Sequence, residues 1–392
     1  MLGLLLISLF TLALCIPFST AASGWSRTYG GKGDDEFYSV VQTRDGGYAL
    51  AGYTNSSGAG GYDFWLVKTD SSGTMQWNKT YGGPDNDAAF SVVQTNDTGY
   101  ALVGITTSYG IGETNVWLVK TDSSGNMQWS QVYGGSLNNG AYSVIQTSDG
   151  GYAIGGFTDS YGAGGYDFWL IKTDSSGNMQ WNRTYGGTGD DEAQCLIQTS
   201  DGGYALAGYT NSFGAGSYDF WLVKTDSSGN MMWNQTYGGA GDEAANAVIQ
   251  TSDGGYALAG WTTSYGAGEA DIWLVKTTSN GTMQWNKTYG GAGEDEAFSV
   301  VQTSDGGYAI AGATNSYGAG DYDGFLVKTD SAGNSVMPQP SSFSIPYFAI
   351  IIVVIVVVTI VAGVVIVRRR RSKPQTPTAQ QVPPTDSEMK PT

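Results

Sequence analysis

Between Met75 and Asn126 the chain falls into four short apolar-rich runs, and none of them keeps a helical period. Met75–Tyr81 alternates apolar and polar residues and stops at Gly82-Gly83. Phe90–Thr95 is β-branched and ends at Asn96-Asp97-Thr98-Gly99. Tyr100–Thr106 follows and leads into a Ser/Gly-rich loop. Asn115–Thr121 then meets Asp122-Ser123-Ser124-Gly125-Asn126. Runs of this length punctuated by Gly, Asp, Asn and Ser predict four strands joined by tight turns.

The same pattern is written six times. Trp25, Trp77, Trp129, Trp181, Trp233 and Trp285 stand 52 residues apart, each opening a Trp-x-x-x-Tyr-Gly-Gly motif. A fixed period of this length signals a repeat architecture. Four strands per unit, arranged radially, predict an all-β fold: a six-bladed β-propeller with four-stranded blades.

The ends of the repeat array predict how the ring closes. It opens on a fourth-type strand, Trp25–Tyr29, and finishes on a third-type strand, Gly324–Thr329. Met337 stands where a seventh Trp would fall, and Pro338 and Pro340 oppose a paired strand there. The N-terminal strand is therefore expected to complete the last blade, leaving no free edge. An open solenoid would need capping units, and the repeats carry none.

Several columns read as structure. Eleven of the 12 tryptophans fall in two columns, the set above and Trp65, Trp117, Trp169, Trp221 and Trp273. Within strands these suit packing between blades better than sugar stacking. The invariant Lys68, Lys120, Lys172, Lys224, Lys276 and Lys328 are expected to satisfy polar groups at fixed places, as are the glutamines equivalent to Gln42.

Composition adds location. Residues 1–22 read as a signal peptide, with an apolar run at Leu2–Ile16 and small residues at Ser19–Ala22. The propeller ectodomain is assigned to 23–336 and a stalk to 337–346. Residues 347–367 are long and apolar enough for one transmembrane helix. The basic tail, 368–392, begins with four arginines, which mark the cytoplasmic side and put the propeller outside the membrane. Cys195 would be the only cysteine left after cleavage. It stands in a Ser/Ala column and is expected to be a small buried residue.

Residues 23–345 hold 12 Lys and Arg against 33 Asp and Glu, a net −21. That charge opposes nucleic acid as a partner and suits cations or cationic surfaces. The absence of histidine removes the commonest general base and imidazole metal ligand. With near-copies of every acid around the ring, no single catalytic site stands out, and binding is expected rather than catalysis.

The candidate ligand-binding face lies where fourth strands lead into first strands and second strands into third. The former loops hold Asp34, Asp35 and Glu36, Asp190, Asp191 and Glu192, Asp242 and Glu243, and Glu294, Asp295 and Glu296. Asp85-Asn86-Asp87 and Asn138-Asn139 are weaker versions. The latter loops end at Asp63, Asp167, Asp219, Asp271 and Asp323, with Asn115 in the remaining unit. These oxygens are of the type that holds Ca²⁺, which is the one cofactor the face suggests. Sequons for N-glycosylation occur at Asn55, Asn78, Asn96, Asn182, Asn234, Asn280 and Asn286.

The repeat unit, from Trp-Asn-x-Thr-Tyr-Gly-Gly through Gly-Gly-Tyr-Ala-Leu-Ala-Gly to Phe-Trp-Leu-Val-Lys-Thr-Asp, resembles that of archaeal secreted or membrane-anchored β-propeller proteins, grouped with quinoprotein-like propellers. The resemblance covers about residues 25–336. Asp70, Gly73 and Trp77 are similar to the tryptophan-docking motif of quinone-dependent dehydrogenases. Those enzymes have more blades, and their vicinal disulfide is missing here, so the resemblance implies fold and surface location but no redox chemistry. The expectation is a single-pass surface protein that meets a protein, glycan or cell-envelope partner through the acidic face. The alternatives are a structural cell-envelope component without a soluble ligand and, more weakly, a degenerate quinoprotein-like or carboxylate-based enzyme.

Overall fold

The computed structural model describes residues 24–338, and 23 strands with no helix occur among them. The expected signal peptide, transmembrane helix, cytoplasmic tail and all but the first two residues of the stalk lie outside the described residues. Blades one to five are antiparallel four-stranded sheets in chain order, spanning 35–81, 87–133, 139–185, 191–237 and 243–289. First strands of successive blades pack on one another, so they form the inner layer and the fourth strands lie outside. The chain is an all-β, six-bladed propeller.

The expected closure of blade six is not made. That sheet has three strands, Asp295–Gln302, Tyr308–Thr314 and Asp323–Lys328, and residues 24–34 form no strand beside the last of them. Instead the N-terminal segment docks on blade one through side chains. Trp25 meets Tyr48 edge-on with centroids 5.8 Å apart, and the Tyr29 hydroxyl donates to Gly73 O at 2.5 Å. Trp77 and Tyr100 at 5.8 Å, and Tyr81 and Gly125 O at 2.7 Å, repeat that contact between blades one and two. Side-chain docking onto the following blade does not require the backbone ladder to the preceding one, so one half of the junction forms without the other. The seam stays exposed: Val40 is 61% and Leu326 71% accessible, against 2% for Val92 and 0% for Leu274 at the same repeat positions.

Elsewhere the core lies between blades, in five clusters that each combine apolar residues from adjacent sheets. The Trp column is its lid. The ring of Trp77 sits where a Cβ on Gly125 would be, at 2.7 Å, and Gly125 has φ of 75°. The lysine and glutamine columns are structural, as expected. Lys120 Nζ reaches Asp97, Thr121 O and Gln128, while Gln146 Oε1 accepts the Asn96 N–H of the preceding blade at 2.8 Å. Ser91 Oγ likewise accepts the Val144 N–H at 3.2 Å. Cys195, in the same column, lies against the Val248 carbonyl, and burial pushes its thiol pKa up.

Candidate functional site

Every first strand carries one β-bulge at the same place, between Phe37 and Ser39 in blade one and its equivalents in the other five. The extra residue is Tyr38, Phe90, Tyr142, Gln194, Asn246 or Phe298. A bulge re-aims a side chain and bends its strand. The bend brings the backbone close to the second strand, where a Cβ on Gly52 would lie 1.8 Å from Glu36 O. This close approach explains why glycine recurs in the Ala-Gly-Tyr-Thr stretch.

The repeats differ in their loops, but among strand positions the bulge is one of the few at which they differ in character, and it does not stand alone. Two neighbouring columns also vary: Tyr53, Ile105, Phe157, Tyr209, Trp261 and Ala313 on second strands, and Glu36, Ala88, Gly140, Glu192, Ala244 and Glu296 on first strands. In blades one to three the aromatic members of the bulge and second-strand columns touch, with Tyr62 and Tyr166 at the two ends of the run. Ring contacts run from Tyr62 to Tyr53 (4.6 Å), Tyr38 (5.8 Å), Phe90 (5.1 Å), Tyr142 (5.4 Å), Phe157 (5.7 Å) and Tyr166 (4.8 Å) without a break across blades one to three. Carboxylates border this belt. Glu36 accepts from the Tyr38 hydroxyl at 2.8 Å, and Asp34 accepts from Tyr62 at 3.3 Å. In blade four Glu192 faces both Tyr209 and Tyr142. Burial raises its pKa above the usual carboxylate range, offset in part by hydrogen bonds from these two tyrosines. The phenol pKa values of Tyr142 and Tyr209 rise through burial and the adjacent Glu192.

Such a surface combines aromatic faces for stacking with carboxylates that accept hydroxyl or ammonium donors. Sequence reasoning passed over it because it sought motifs that repeat. The signal was present in the columns that break the repeat, and Trp261, the one tryptophan outside the two regular columns, belongs to it.

The acidic residues expected to form the face divide by depth. Asp34 and Glu36 are exposed. Asp35, Asp190, Glu192, Asp242, Glu294, Glu296 and Asp323 are half-buried. Asp63, Asp167, Asp191, Asp219, Glu243, Asp271 and Asp295 are buried, each no more than 2% accessible. The buried set anchors loops. Asp191 accepts from Gly187 N and Ser212 Oγ at 2.8 and 2.7 Å and from Thr210, while Asp167 accepts from Ala163 N at 2.9 Å. Among the described residues no three acidic side chains converge as a metal cluster. The buried ones meet in pairs across blade junctions. Burial first, then the neighbouring acid, raises the pKa of Asp63, Asp167, Asp219 and Asp271.

Of the sequon asparagines, Asn55 borders the aromatic belt, its Oδ1 accepting the Asp34 N–H at 2.7 Å; the others stand on outermost strands or turns. Asn78, Asn182, Asn234 and Asn286 stand on outermost strands, and each Oδ1 accepts a tryptophan indole N–H at 3.1–3.3 Å. That bond accounts for the column in structural terms. Asn55, Asn96 and Asn280 are exposed at strand ends and turns.

No family model matches the chain. It is 27% identical over 255 residues to the regulatory protein FlaEY of Caulobacter vibrioides, a match that covers 61% of this chain but only 24% of that protein's length. Among solved structures, the Pan2 WD40 domain of Neurospora crassa aligns with a TM-score of 0.48 at 11% identity, covering 77% of this chain and 80% of that one. PorZ, a surface component of the type-IX secretion system of Porphyromonas gingivalis, aligns at 0.46 and 13%, covering 80% and 43%. These likenesses concern the fold alone.

Proposed function

We propose that this chain is a cell-surface binding module. Its propeller takes a glycan on the aromatic and acidic surface that runs from Tyr62 through Tyr38 and Phe90 to Tyr142 and Glu192. One observation carries the reading: the strand positions that diverge among near-identical repeats include an unbroken run of aromatic contacts across blades one to three, set by the bulges of their first strands. Divergence on an otherwise uniform ring makes this surface asymmetric, as recognition of one ligand requires. Aromatic faces stack on sugar rings, and Glu36 and Glu192 supply acceptors for their hydroxyls. Binding rather than turnover suits a site that lacks histidine and has no single distinct acid–base pair.

The surface location rests on the apolar runs at 2–16 and 347–367 and the arginines after the second. Screening the full-length chain on a glycan array, followed by calorimetric titration of the hits, tests this. Tyr38→Ala and Tyr142→Ala should each weaken the best hit by about tenfold, or ~1.4 kcal/mol. Binding untouched by both changes would remove the site. An array with no hits would favour the other reading, a structural component of the envelope.

A further inference from the structure

Four blade junctions bury two carboxylates against each other. They pair the first residue of a third strand with the first residue of the next blade's first strand: Asp63 with Asp87, Asp167 with Asp191, Asp219 with Glu243, and Asp271 with Asp295. Their closeness is recorded by the glycine between them. A Cβ on Gly82 would lie 1.7 Å from Asp63 Oδ1 and 2.9 Å from Asp87 Oδ2, and one on Gly290 would lie 2.1 and 2.5 Å from the matching oxygens of Asp271 and Asp295. None of the six ion pairs among the described residues involves these acids. Asp63 is 1% accessible, and its Oδ1, aimed at Asp87 across Gly82, is buried with no hydrogen-bond partner.

Neutral donors hold the other contacts, Ala59 N–H on Asp63 Oδ2 and Gly83 N–H and Ser108 Oγ on Asp87 Oδ2. They cancel no charge, and two buried like charges without a counter-charge are costly. The remaining formed junction shows how much neutralisation is needed. Between blades two and three both positions change together, to Asn115 and Asn139. Here Asn139 Oδ1 accepts from Thr158 at 2.6 Å and its Nδ2 donates to Leu137 O at 2.8 Å, so the amides keep the packing without charge. A single shared proton would be matched by one Asp-to-Asn exchange. Loss of both acids at once matches the removal of two positive charges. At the open seam Asp35 and Asp323 hold the same positions, but Gly30 faces Asp35 alone.

We propose that each of these four junctions binds one hard divalent cation, held between the paired carboxylates with loop carbonyls completing its oxygen shell. The ion would join neighbouring blades and is separate from the glycan surface. Native mass spectrometry of the full-length chain in Ca²⁺ should find four ions. Asp63→Asn/Asp87→Asn, which copies the Asn115–Asn139 junction, should fold and bind three. The reverse exchange, Asn115→Asp/Asn139→Asp, should raise the number to five. Ca²⁺ stoichiometry that neither double exchange alters would overturn the proposal. So would a chain that stays metal-free at millimolar Ca²⁺; Asp63→Asn alone matching the stability of the double exchange would then assign the pair a shared proton.

Discussion

Lys172 lies buried beneath the half-exposed Asp149, with Nζ 2.8 Å from Asp149 Oδ2 and 2.8 Å from the carbonyl of Thr173. A third contact, 3.3 Å to Gln180 Oε1, uses the last of its three donors. The same lysine fixes two turns of its blade, which explains its recurrence in all six. The ion pair itself contributes little, because the aspartate is largely in water. The carbonyl matters more. Lys172→Met should leave it buried without a donor and lower stability by about 1–3 kcal/mol. Urea denaturation checks this, and an unchanged midpoint would show that the lysine column is dispensable.

Acid stability should pass through a maximum. Asp149, Asp201 and Asp253 have pKa values of about 2, because hydrogen bonds from lysine and threonine outweigh burial. A depressed carboxylate contributes stability above its unfolded value of 3.8, and that stability disappears as pH falls towards about 2. Asp63, Asp167, Asp219 and Asp271 shift the other way. Their burial cost is relieved as pH falls through their raised values towards 3.8. In chelator, melting temperature should therefore rise on mild acidification and fall below pH 3.8. A melting temperature that only declines from neutral pH would contradict the pairing of these acids.

The open seam predicts unequal responses from equal residues. Leu274→Ala removes a side chain with no exposure and should cost about 2–5 kcal/mol. Leu326→Ala, at the same repeat position in blade six, should cost within about 0.5 kcal/mol, because that side chain is mostly in water. Equal losses in a thermal melt would mean that the ring closes in solution.

The repeat spacing made the blade count and the bounds of second, third and fourth strands legible, because turn residues recur at fixed offsets. The first strand, read from Phe90, begins at Asp87, since its polar start lacks the apolar pattern. Inward lysines, docked tryptophans and the small serine column were legible for the same reason: a residue required six times has a job that every blade shares. The depth of Asp63 and Asp191, 1% and 0% accessible, was not legible. Asp in a Gly-rich loop reads as solvated, and only the fold shows that serine, threonine and backbone N–H groups surround it.

From sequence alone come the all-β class, six blades, the order of strands within each and the acidic character of the whole. Local propensity and periodicity suffice for these, since each blade is built from neighbouring residues. Tertiary structure decided three things. It showed which side chains the bulges direct onto one surface, such as Tyr38, Phe90 and Tyr142. It showed which acids from different blades meet, and it left the N-terminal segment docked on blade one without pairing to blade six. All three depend on contacts between residues about one repeat or more apart, and a linear pattern carries no distance across that span.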